Sequence, residues 1–190
     1  AHPGYTRDRK LNRGSGQVGR QEWFGCACCP PNIARLLASL GDYCYAQNAN
    51  TLWVHLYAGG SAETVIGKTP VRVEQKTEYP WDGKIELRPQ PETPKPFSLA
   101  LRIPAWCRAP SLKVNGKALG LDAVMKKGYA YIKRVWEEGD VVALDLPMPV
   151  ERVRPHAESF HLAGQVALQR GPILYCAEEA DNGKNLHNLL

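Results

Sequence analysis

The chain has 190 residues, enough for one ordinary domain that buries a core without disulfide staples. Apolar residues make up 44% and charged residues 23%, close to the soluble globular average, so neither disorder nor a membrane partner is expected; no apolar run reaches the roughly 20 residues of a spanning helix. The net charge of +5 is scattered except between Arg7 and Arg20, a stretch with no interleaved aromatic residues and no binding motif, so nucleic acid is not an expected partner.

Residues 1–22, rich in Gly, Arg and polar residues without a sustained period, read as an irregular loop. They contain no signal-peptide apolar stretch, which makes the cytoplasm the expected compartment for a chain whose first residue is not expected to be the native one. The sequence then packs Cys26, Cys28 and Cys29 against Pro30-Pro31-Asn32. After the prolines, Ile33, Leu36, Leu37, Leu40 and Cys44 recur at the spacing of one buried helical face, which predicts a helix starting at or just after the cysteines.

From Thr51 the period changes to two. TLWVHLYAGGSAETVI alternates as a strand and breaks at Gly59-Gly60; TPVRVEQKTEYP, GKIELRPQ and PFSLALRIPAWC follow, each bounded by Pro or Gly. LKVN then turns at Asn115-Gly116 into KAL, before GYAYIKRVW, DVVALDLPM and GQVALQRGPILYC. About eight short strands at roughly ten-residue spacing predict an antiparallel β-sandwich, with Val141–Leu146 as a central strand. The expected division is residues 1–50 for loop, cysteine motif and helix, 51–177 for the sandwich, and 178–190 for a polar tail or truncated continuation. A lone amphipathic helix must bury its stripe against something. The chain is therefore either a piece of a longer protein or a small sandwich with the helix laid across one sheet. In a piece, exposed apolar surface would favour self-association into a homo-oligomer.

The three clustered thiols suggest chemistry. Adjacent cysteines make a strained disulfide, yet both can reach one metal: zinc takes thiolates at about 2.3 Å in a tetrahedral array. A thiol at a helix N-terminus also meets the positive end of the helix dipole and unpaired N–H groups, which favour thiolate, a nucleophile. The alternative is three small residues packed beneath a helix start. Cys44, Cys107 and Cys176 stand alone in apolar surroundings and read as buried small hydrophobes. Trp23 and Phe24 are candidates for the wall of a sugar site, with core packing favoured. His55, between Val54 and Leu56, points away from their face and is not expected to bind metal.

WFGCACCPPNIARLLASLGDYCYA, then LWVHLYAGGSA and, far downstream, GQVALQRGPILYCAEE together resemble the C-terminal half of glycoside hydrolase family 127, the β-L-arabinofuranosidases. The resemblance covers nearly the whole chain. It implies an (α/α)6-barrel catalytic domain whose last helix follows the cysteines, then a β-sandwich. It also implies a retaining hydrolase acting on an L-arabinofuranose-containing glycan, with Cys28 as nucleophile and Cys28 and Cys29 as zinc ligands. The acid/base glutamate and the remaining ligands, a glutamate and a cysteine, would lie upstream of this segment. Two other readings compete: a non-catalytic carbohydrate-binding or assembly module with structural cysteines, and a structural zinc module that docks a partner.

Overall fold

The computed structural model describes residues 28–183 and residue 186. Arg7–Arg20, Trp23, Phe24 and Cys26 lie outside the described residues. The chain divides into two compact units, Ala1–Leu40 and Gly41–Leu190.

In the first unit, helix α1 spans Cys29–Ser39, with Cys28 at its N-cap. Its start follows from the prolines, which lack the N–H that a first turn would leave without an intrahelical partner. The apolar stripe forms at the expected spacing but is not buried: Ile33 is 60% exposed and Leu37 66%. The helix also ends before Cys44. A 3-10 turn at Leu40–Tyr43 takes over, and Gly41, the poorest helix former after proline, stands at the transition.

The second unit is a β-sandwich, as the spacing of its strands predicts. Its strands in chain order are β1 (Tyr45–Gln47), β2 (Thr51–Val54), β3 (Gly60–Ile66), β4 (Thr69–Thr77), β5 (Lys84–Pro91), β6 (Lys95–Arg102), β7 (Ser111–Val114), β8 (Lys117–Leu119), β9 (Met125–Lys126), β10 (Tyr129–Trp136), β11 (Val142–Asp145), β12 (Val150–Val153), β13 (Ala167–Arg170) and β14 (Ile173–Tyr175). One sheet runs β1-β2-β6-β10-β9, the other β3-β4-β5-β11-β7-β8, and β12-β13-β14 form a small third sheet. A short helix, α2, spans Glu179–Asn182.

Period-two alternation builds the core. Leu52 and Val54, Phe97, Leu99 and Leu101, and Ala130 and Ile132 come from the first sheet. Val71, Val73, Ile85, Leu87, Leu112, Val142 and Leu144 come from the second. Trp136 closes one end: its ring is fully buried and its Nε1–H donates to the Phe97 carbonyl at 3.1 Å. Tyr57 closes another point with its hydroxyl donating to the Arg102 carbonyl at 2.5 Å.

Two local features match their sequence signals. Asn115 and Gly116 both have positive φ, 50° and 77°, as a two-residue hairpin between β7 and β8 demands. Strand β11 lies inside its sheet, between β5 and β7. Two others do not. The sandwich is not wholly antiparallel, because β2 pairs in parallel with β6, Thr51 opposite Ser98 and Val54 opposite Leu101. And Cys176 is exposed rather than buried; it falls just past the end of β14. Cys107 is buried as expected, and Cys44 is half-buried.

Candidate thiolate site and the sandwich surfaces

The sequence places both thiols at the first turn of α1. Cys28 and Cys29 are exposed, and their Sγ atoms lie 3.5 Å apart. Two zinc-bound thiolates at about 2.3 Å in tetrahedral geometry stand about 3.8 Å apart, so small rotations of these side chains suffice for both sulfurs to share one ion. The pair fits zinc as two of its donors. Among the described residues there is no cluster of three or more His, Cys, Asp or Glu side chains able to hold a metal.

Asn32 fixes the turn. Its side-chain Nδ2 donates to the Cys28 carbonyl at 2.6 Å, and its backbone N–H donates to the same oxygen at 3.4 Å. Arg35, one turn on, donates from Nη1 to Asn32 Oδ1 at 3.1 Å, which orients the amide with its nitrogen towards Cys28. Sequence reasoning missed this support for the cysteine backbone. The available signal was an Asn four residues after Cys28 and three before an Arg, the spacings at which helix side chains meet.

The helix start offers fewer N–H groups than a bare terminus. Pro30 and Pro31 carry none, and that of Asn32 is committed to Cys28. Few N–H groups therefore remain at this helix end to meet an anion.

In the second unit, His55 follows β2 and turns away from the core, as expected. It is half-buried, with Nδ1 2.7 Å from the Tyr129 hydroxyl and the two rings edge to face at 5.7 Å. Trp53 similarly donates from Nε1 to the Tyr131 hydroxyl at 3.1 Å. Ala100 lies between Trp53 and Tyr131 on β6 and is small enough to let the two side chains meet across it.

The outer face of the six-stranded sheet carries a groove of about 540 Å³ lined by Lys76, Glu86, Lys113 and Asp145 among others. Its lining residues interleave both charges and include no aromatic ring, the side chain that stacks on a sugar face. A second cleft, of about 320 Å³, opens between edge strands β1 and β3 and includes Tyr45, Gln47 and Glu63. The groove thus lacks the aromatic platform that a carbohydrate-binding module would use, and the cleft offers a single ring, Tyr45, whose hydroxyl accepts from Gln75 Nε2 at 2.6 Å.

Comparison with known proteins supplies the class to which this β-sandwich belongs. Residues 51–148 match the family model described as β-L-arabinofuranosidase, GH127 middle domain. Residues 150–190 match the glycoside hydrolase family 127 C-terminal domain. The boundary falls where the chain leaves β11 and enters the third sheet. The chain belongs to glycoside hydrolase family 127.

A non-reducing end β-L-arabinofuranosidase of Bifidobacterium longum subsp. longum is 42% identical over 178 residues, covering 89% of this chain and 26% of the relative. A crystal structure of a GH127 β-L-arabinofuranosidase from Geobacillus stearothermophilus T6 is 49% identical and superposes with a TM-score of 0.86, covering 96% of this chain and 29% of that one. A second solved GH127 β-arabinofuranosidase is 36% identical with a TM-score of 0.79, over 87% of this chain and 28% of its own. The chain thus spans about a quarter of the length of the curated relative it matches.

Proposed function

We propose that this chain is the nucleophile-bearing part of a retaining β-L-arabinofuranosidase, with α1 as the last helix of an (α/α)6 barrel. The observation that carries the reading is the pair of exposed sulfurs 3.5 Å apart at the start of α1, in a chain of this family. The exposed stripe of α1 is consistent with a helix whose packing partners are other helices.

Cys28 is the nucleophile. Its Sγ attacks the anomeric carbon, forming a C–S bond as the glycosidic C–O bond breaks; water then attacks the same carbon and returns the thiolate. Cys29 is the second sulfur ligand and holds the pair in register. Cys28 and Cys29 would hold zinc as two of its donors, and the bound ion would supply positive charge beside the nucleophilic sulfur. Asn32, itself oriented by Arg35, holds the Cys28 carbonyl. The carboxyl group that protonates the leaving oxygen and later deprotonates water, together with the other zinc donors, lies upstream of this chain. The substrate is a glycan ending in L-arabinofuranose.

The test is competitive labelling of the cysteines of the full-length parent protein by a limiting thiol-directed electrophile, read by mass spectrometry with zinc and with chelator. Cys176 is the control for exposure and Cys107 the control for burial. Zinc-dependent preference for Cys28 over Cys176 is the expected result. Labelling ranked by exposure alone, unmoved by zinc, would overturn the metal-thiolate reading. This chain by itself should show next to no hydrolysis of an aryl β-L-arabinofuranoside, because a retaining glycosidase needs two groups and this reading assigns the second to the upstream part of the protein. Robust turnover would mean that the acid/base residue lies within these 190 residues.

A further inference from the structure

We propose that the outer face of the five-stranded sheet is a binding site for an anionic glycan, one that carries uronic acid carboxylates. The choice of a sugar partner rests on the reading that the parent protein acts on a glycan. Strand register sets the outward residues in rows. His55, Arg102, Tyr129 and Lys126 form one row, Trp53, Ala100 and Tyr131 the next, and Thr51, Ser98 and Lys133 a third. Neighbours within a row stand about 4.8 Å apart and successive rows about 7 Å, so all three fall under a short oligosaccharide.

The middle row is an aromatic platform. Ala100 faces outward yet has no exposed surface, because Trp53 and Tyr131 close over it, with the indole Nε1–H donating to the Tyr131 hydroxyl at 3.1 Å. Rings laid along a sheet over an alanine present a surface on which the C–H face of a sugar packs. His55 and Tyr129, edge to face with centroids 5.7 Å apart, bound the platform on one side. Each ring is already tied to its neighbour, so little rotamer freedom remains to be lost when a ligand lands.

Charge selects the kind of sugar. Arg102, Lys126 and Lys133 are exposed around the rings, and no Asp or Glu stands in the three rows. Among the described residues none of these three cations makes an ion pair. The six-stranded sheet treats its charges differently: outward Arg72, Lys76 and Arg88 pair with Glu63, Glu74 and Glu86. Cations left uncompensated beside stacking rings complement a chain that offers both carboxylates and sugar faces. They are fewer than the roughly 6–10 phosphate contacts from which nucleic-acid binders draw their affinity.

The experiment titrates the full-length parent protein with an oligosaccharide of galacturonic acid at low salt and reads affinity by calorimetry. Saturable binding is expected. Methyl esterification of the carboxylates should weaken it at least about tenfold, as should raising the salt to about 0.5 M. Lys126→Gln combined with Lys133→Gln should lower affinity about fivefold, and Trp53→Ala about tenfold. Lys113→Gln, on the opposite sheet, should change nothing. Both lysines are exposed, so their variants decide the matter even if Trp53→Ala misfolds. No binding, or equal binding of the methyl ester, would overturn the proposal. So would equal affinity for poly-L-glutamate, which has the charge without the sugar, or tighter binding of a single-stranded oligonucleotide. Oligogalacturonate carries no arabinofuranose, so a parent protein that binds it but cleaves no arabinofuranoside would sink the glycosidase reading and leave this site standing.

Discussion

At the scale of single residues, the polar groups worth attention are those that the fold cannot leave unpaired. Asp140 is nearly buried. Its Oδ1 accepts from Asn115 Nδ2 at 2.6 Å and from the Arg134 guanidinium at 3.3 Å, and its Oδ2 accepts from the Glu137 N–H at 2.9 Å. Asn115 in turn accepts from the Val141 N–H, tying the β7–β8 turn to the entry of β11. Asp140→Ala strips acceptors from three donors at once and should cost about 2 kcal/mol or more, read as a lower urea midpoint at neutral pH. Asp140→Asn, which keeps one acceptor oxygen, should fall between. The thiol site was legible at this scale only as a motif: CCPPN gives residue types and a proline-started helix, while the gap between the sulfurs and the hold of Asn32 on the Cys28 carbonyl are matters of geometry. His55 was placed correctly because alternation alone fixes which face a residue takes.

At the scale of elements, close approach of backbones decides more than side-chain type. A Cβ on Gly83 would sit 1.9 Å from the Leu146 carbonyl oxygen, while the Leu146 N–H donates to the Gly83 carbonyl at 3.0 Å. Gly83→Ala must therefore push apart the start of β5 and the end of β11. It should cost at least about 2 kcal/mol by denaturant unfolding, whereas Gly120→Ala, with open space around it, should stay within about 0.5 kcal/mol of wild type. Equal effects of the two would refute this. The long strands were readable because Gly or Pro bounds each and apolar residues alternate within. Strands β1, β9 and β12 were not, having two to four residues and no apolar alternation to mark them. Nor does alternation name a strand's neighbours, so the parallel contact of β2 with β6 had no signal. The stripe on α1 was legible, but a stripe says that a face is apolar, not what covers it.

At the scale of the whole molecule, several buried groups are held in their neutral forms together. Burial pushes up the Tyr45, Tyr57 and Tyr79 hydroxyls and the Cys107 thiol. In the unfolded chain these groups ionise at their ordinary values, 9.0 for the thiol and 10.0 for the phenols. Their contribution to stability is therefore complete below about pH 9 and is lost as pH rises past those values, because the unfolded state then releases protons that the folded state keeps. The urea midpoint should stay level from about pH 7 to 9 and fall towards pH 11, and less steeply in Tyr57→Phe. A midpoint unchanged at pH 11 would contradict this. The pairing of β2 with β6 has a further consequence, for the order in which the chain assembles. During synthesis β1 and β2 emerge before the strand they must lie against, and β3, β4 and β5, made in between, go to the opposite sheet. Until β6 is in place, and behind it β10, Leu52 and Val54 have no sheet to complete. The first layer therefore cannot form around β2 until β6 has been made, and pairing strands so far apart in sequence is the kind of contact that slows folding to milliseconds or seconds rather than microseconds. A ribosome stalled ahead of Trp136 would hold a half-built sandwich whose earliest strands are still waiting for their partners.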